Sequence, residues 1–72
     1  MDYATVTSTS IDAIGYDDKT NTLGVRFASG AEYHYFNVPK SVFEGLCNAP
    51  SVGRYFEKHV KGAGYSFKRL SG

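Results

Sequence analysis

The spacing of apolar residues changes along this chain at Pro39, and that change limits the folds open to it. Before it, Leu23, Val25 and Phe27 alternate with Gly24 and Arg26. That period of two places one face of a strand in a core. After it, Val52, Tyr55, Phe56, His59 and Val60 recur at i, i+3, i+4, i+7 and i+8, an apolar stripe along one side of a helix. When strands come first and helices second, the simplest way to bury both stripes is to pack the helices on one face of an antiparallel sheet.

Local signals fill in that outline. Ile11 to Tyr16 is β-prone, Asp17-Asp18-Lys19-Thr20-Asn21 is polar turn material, and Thr22 to Ala28 forms the second strand. Ser29-Gly30 marks a tight turn before a third strand from Ala31 to Phe36. Pro39 suits the first position of a helix, where its missing N–H costs nothing. Val42, Phe43, Leu46 and Cys47 share one face of that helix, which predicts a buried, inert thiol. Asn48-Ala49-Pro50 interrupts, Ser51 caps a second helix, and Gly62 and Gly64 end it. Tyr65 to Leu70 alternates again, as a fourth strand on the sheet edge or as an extended tail. Residues 1–9 are rich in Thr and Ser without periodicity, and they predict a mobile or loosely attached start. The expected fold is α+β: a small antiparallel sheet of three to four strands with two helices on one face. The order is β-β-β-α-α with an optional last β, in one domain over residues 1–72.

Composition narrows the function classes. With 72 residues and a single cysteine, no intrachain disulfide can form, which fits a reducing compartment. His34, His59 and Cys47 show no metal-ligand spacing. The first residues lack the basic region and apolar core of a secretory signal. No run approaches the roughly 20 apolar residues of a membrane span. These features predict a soluble cytoplasmic protein that holds no metal and no cofactor. Catalysis has no visible basis: Asp12, Asp17, Asp18, Glu32 and Glu44 are scattered, and no base stands near Cys47 at a recognisable spacing. A binding module is expected, with no catalytic residues.

Several short motifs resemble the KTSC domain family. They are Ser8-x-Ser10-Ile11, Gly15-Tyr16-Asp17, Leu23-x-Val25-x-Phe27, Gly30, Tyr33-x-Tyr35, Val38-Pro39 and Ala49-x-Ser51-x-Gly53. Together they span roughly residues 8 to 68. The family is named for an extension of some lysyl-tRNA synthetases and also occurs as a stand-alone protein. The resemblance implies a small domain of this fold, and attachment to a synthetase suggests RNA as a partner. Glu57 stands where family members often carry asparagine.

Charge and aromatic placement give the candidate site. Residues 1–50 hold three cations against six anions, a net of −3. Residues 51–72 hold Arg54, Lys58, Lys61, Lys68 and Arg69 against Glu57 alone, a net of +4. A basic end invites an anionic partner. Arg54, Lys58 and Lys61 at i, i+4 and i+7 predict one ridge along the second helix, and Lys68 and Arg69 follow in the tail. Such a ridge tracks phosphates, or it is simply a solvated helix face. Tyr33 and Tyr35, two apart on a strand, share a face. They form either a stacking platform for bases or core under the helices, and the polar Glu32 and His34 on the opposite face favour core. His34 is expected beside Arg26 on a solvated outer face, with Phe36 nearby. Ser51, Gly53 and Arg54 at a helix start form a candidate anion site, against ordinary capping by Ser51. The leading expectation is an RNA-binding module acting through the basic helix and tail. The alternatives are protein interaction or self-association through a sheet edge, and binding of a small anion such as a nucleotide.

Overall fold

The computed structural model describes residues 1–71. Five strands form one antiparallel sheet in the order β1-β2-β3-β4-β5: β1 Tyr3–Thr5, β2 Ile11–Asp17, β3 Thr22–Phe27, β4 Glu32–Tyr35 and β5 Phe67–Ser71. Helix α1 (Lys40–Asn48) and helix α2 (Val52–Phe56) lie between β4 and β5, and α2 runs straight into a π-helical turn, Glu57–Lys61. The α+β class and the helices between the meander and a last edge strand agree with the sequence reading. The sheet has five strands rather than three or four.

Turn chemistry sets the meander. The Asp17 carboxylate accepts a hydrogen bond from the Lys19 N–H at 3.0 Å, and Asn21 takes φ 54° to re-enter β3, as short polar side chains in turns do. The β3–β4 turn closes when the Phe27 N–H donates to the Ala31 carbonyl at 2.8 Å. Asn37 at φ 57° ends the meander and redirects the chain. Pro39 is the N-cap of α1, one place earlier than expected. Ser51 caps α2 as expected, its Oγ accepting from the Arg54 N–H at 3.4 Å.

The core lies between the sheet and the helices. Ile11, Ile14, Leu23, Val25, Tyr35 and Val38 meet Leu46, Val52, Phe56 and Val60, all buried. The predicted alternation holds in β3, where Leu23 and Val25 face the helices. The stripe of α2 is narrower than the sequence suggests. Val52, Phe56 and Val60 are buried, Tyr55 is half-buried, and His59 is exposed with its ring 4.2 Å from that of Tyr55. Cys47 also departs from expectation and is exposed. It sits about 100° round the helix from Leu46, and α1 buries only Leu46 fully.

The N-terminal residues carry the main correction. Tyr3, Ala4 and Thr5 pair with Gly15, Ile14 and Ala13, so the start of the chain is an edge strand. Gly15 and Gly24 face each other across β2 and β3; the Tyr3 ring lies over Gly24, and the Asp2 carbonyl and Met1 side chain lie against Gly15. A side chain at Gly24 would run into the Tyr3 hydroxyl. The outer face is therefore not bare. The Tyr3 hydroxyl donates to Glu32 Oε2 at 3.0 Å, leaving its lone pairs to accept from His34 Nε2 at 3.3 Å. Arg26 stacks 4.5 Å over the Tyr3 ring and reaches Glu32 at 3.4 Å. Across the sheet Arg26 pairs with Glu32 and Gly24 with His34, so Arg26 and His34 meet through Tyr3 and Glu32 rather than side by side. Burial, then the hydrogen bond to Glu32 and that carboxylate's charge, push the Tyr3 hydroxyl up to about 12, against the opposing pull of Arg26.

Candidate nucleic-acid interface

Two clefts flank the second helix, and between them they divide most of the predicted site residues.

The first is a groove of about 710 Å³ between the π turn, the β3–β4 turn and the edge strand β5. Its floor is aromatic because β5 pairs with β4. The register places Phe67 opposite Tyr35 and Arg69 opposite Tyr33. Phe67 then packs on both tyrosines, with ring centroids 5.6 Å from Tyr33 and 5.5 Å from Tyr35. Tyr33 and Tyr35 stack at 6.2 Å and 20°. Phe27 meets Tyr33 edge-on at 5.6 Å, and Phe56 meets Tyr35 at 5.6 Å and 75°. These are favoured aromatic geometries, so the rings hold one another in place.

The two tyrosines part company here. Tyr35 is 5% exposed and belongs to the core. Its hydroxyl is pushed up by burial, then by Tyr33 and Glu57, so it carries no charge at neutral pH. That agrees with the core reading and rules out an open stacking face on Tyr35. Tyr33 is half-buried on the groove wall. Phe67, 59% exposed, offers the open ring face, and Tyr65 forms the wall beside it. Phe67 was visible in the sequence as the middle of an alternating run. What gives it a role is its position beside Tyr33 and Tyr35, which the run does not contain.

Lys61 and Arg69 line the same groove. The Arg69 guanidinium is 5.9 Å from the centre of the Tyr33 ring. Lys61 Nζ lies 3.9 Å from Glu57, an exposed i, i+4 pair of the kind that contributes little and that an incoming phosphate can displace.

The second cleft, about 680 Å³, lies on the other side of α2 against the loop Thr7–Ser10. Arg54 and Lys58 line it, with Ser51, Gly53 and Glu57. The three predicted anion-site residues thus do come together. A Cβ on Gly53 would sit 3.1 Å from Ser10 Oγ, so the missing side chain lets the Ser-rich loop pack against α2. The Ser51 hydroxyl is occupied in capping, and the Glu57 carboxylate on the rim opposes an anion.

The predicted single ridge is therefore split. A π turn winds fewer degrees per residue than an α-helix because it closes i→i+5 bonds. The Gly62 N–H donating to the Glu57 carbonyl at 2.9 Å is such a bond. Residues beyond Glu57 lag their α-helical positions, so Lys61 falls to the groove while Arg54 and Lys58 face the hydroxyl-lined cleft. Lys68 is paired with His34 on the opposite face of the sheet, away from both clefts. Cys47 is in neither cleft, and its thiol is pushed up by desolvation and then by Glu44, which keeps it in the less reactive protonated form.

Comparison with known proteins agrees with this frame. The sequence profile of the KTSC domain matches residues 7–65. The chain belongs to the KTSC domain family. This KTSC domain is similar to part of the lysine–tRNA ligase of Nostoc punctiforme, 49% identical over 61 residues, which is 85% of this chain and 11% of the ligase. It also resembles a small protein of Stutzerimonas stutzeri, 40% identical over 63 residues, 88% of this chain and 89% of that protein. The crystal structure of a KTSC domain protein from Yersinia pestis superposes with a TM-score of 0.91 at 29% identity, covering 96% of both chains. The KTSC domain is thus a small module that occurs within lysine–tRNA ligases and as nearly the whole of other chains. Among the described residues, no helix is long and apolar enough to cross a membrane.

Proposed function

We propose that this KTSC domain is a non-catalytic module that binds single-stranded RNA in the cytoplasm. A base lies on Phe67 in the aromatic groove, and the flanking phosphates lie against Lys61 and Arg69. The observation that carries this reading is the juxtaposition of an exposed aromatic floor and two cations in one groove, the pairing that single-strand binders use. A duplex would not fit the reading, because its bases are already stacked on one another and offer no free face to Phe67. Kinship with part of the lysine–tRNA ligases supports RNA as the polymer. Arg54 and Lys58 would extend the phosphate track round α2.

A second reading is favoured by one observation. Phe67 and Leu70 are 59% and 43% exposed on an open edge strand, and such an edge can accept a strand from a protein partner or a second copy.

An anisotropy titration against labelled single-stranded RNA at two salt concentrations separates the two. RNA binding that weakens with salt, and that falls about fivefold or more in Phe67→Ala while the variant stays folded, is the expected result. Absence of RNA binding at low salt would sink the RNA reading and leave the edge strand as the site to pursue.

A further inference from the structure

Resting on the RNA reading, we infer that the aromatic groove accepts a base without reading which base it is. Side chains read a base by presenting fixed donors and acceptors to its edge. Amides serve for adenine, carboxylates for cytosine and an edge-on arginine for guanine. Among the described residues that line the groove, none is Asp, Glu, Asn or Gln. The polar side chains there are hydroxyls and cations. A hydroxyl on Ser29, Tyr33 or Tyr65 both donates and accepts and rotates to suit, so it tolerates any edge. Lys61 offers a point charge with no planar fork. Arg69 is the one side chain of the groove whose planar fork could hold a fixed bidentate contact to guanine. Its guanidinium lies over the Tyr33 ring, 5.9 Å from its centre, and in the RNA reading it is given to a flanking phosphate. The exposed ring of Phe67 supplies stacking, and every base has a face to stack.

The groove also discriminates by state. Stacking on Phe67 needs a base with a free face, and the bases of a helix are already stacked on one another, so the domain selects single strands over helices and not one sequence over another.

The test uses five-unit RNA backbones that are abasic except at the centre, where adenine, cytosine, guanine or uracil is placed, with a fully abasic strand beside them. Binding is followed by NMR chemical-shift changes of the 7.9 kDa domain. The expected result is affinities within about threefold among the four bases, and at least about fivefold weaker binding of the abasic strand, in line with the loss of one stacked base. A preference of about tenfold or more for one base, corresponding to a good edge contact, would overturn the inference and leave RNA binding intact. If guanine were that base, and Arg69→Lys removed the preference, Arg69 would be the reader. Equal binding of the abasic and base-bearing strands would also overturn it, because affinity would then rest on phosphates alone. No binding by any strand would remove both this inference and the RNA reading beneath it.

Discussion

The two clefts beside the second helix are alike in volume, about 710 and 680 Å³, and opposite in construction. One is floored by rings that continue into the core, with Lys61 and Arg69 at its rim. The other is walled by Thr7, Ser8, Thr9 and Ser10 and the start of α2, with Arg54 and Lys58 beside Glu57. The first can hold a flat apolar group and a phosphate together; the second has hydroxyls and cations but no ring. The contrast teaches that a basic segment is not a site in itself. Each pair of cations acquires a function from what stands beside it, and the π turn decides which pair stands beside the rings.

The largest expected effect tests whether the groove floor is core. Tyr35→Ala should cost about 3–5 kcal/mol of stability, as truncation of a large buried aromatic does, and in a domain this small it should leave little folded protein in a urea melt. On the other side of the helix, Ser51→Ala should cost about 1 kcal/mol, the loss of an N-cap. Comparable losses from the two would mean that the clefts are equally tied to the core and that the contrast is false.

Next in size is the division of the cations. For single strands the salt slope of binding changes by about 0.7 per phosphate contact. Removing Lys61 and Arg69 together, as Lys61→Gln and Arg69→Gln, should flatten the slope by roughly 1.4. Arg54→Gln with Lys58→Gln should change it less. An equal change would show that one strand runs through both clefts.

The smallest effect lies in neither cleft and serves as a control. The Tyr3 hydroxyl is raised from 10.0 to about 12, so folding favours its protonated form. The stability it contributes is fully present below pH 10 and is lost as pH rises through about 12. Thermal melts between those values should fall more steeply for the wild type than for Tyr3→Phe, and parallel curves would show that the outer-face cluster contributes nothing. RNA binding near neutral pH should be the same in both proteins, since Tyr3 is on the face away from the groove.

Much of the fold was legible in local pattern. The alternation of Leu23 and Val25 and the cap at Ser51 each depend on residues a few positions apart and formed as read; of the stripe Val52, Tyr55, Phe56, His59 and Val60, only Val52, Phe56 and Val60 are buried. The errors share a cause. Tyr3–Thr5 has no periodicity of its own; it pairs with β2 where Gly24 leaves room for the Tyr3 ring and Gly15 for the Asp2 carbonyl and Met1 side chain. Cys47 lies on the edge of a stripe whose width is set by how much of α1 the sheet can cover. The ridge Arg54–Lys58–Lys61 assumed α-helical winding through a segment that closes i→i+5 bonds. For the candidate site, the sequence supplied Tyr33, Lys61 and Arg69 but gave no reason to join them to Phe67.

The sequence by itself determined the order of elements from β2 through the two helices, the buried face of β3 and the basic end, because those follow from periodicity and composition within short windows. Tertiary structure alone decided that Tyr35 is core while Phe67 is open, that Lys61 and Arg69 share a groove, and that Lys68 does not. The physical reason is pairing register. Phe67 lies opposite Tyr35 only because β5 returns beside β4 after two helices, and a contact between residues 32 positions apart leaves no trace in the local pattern of either.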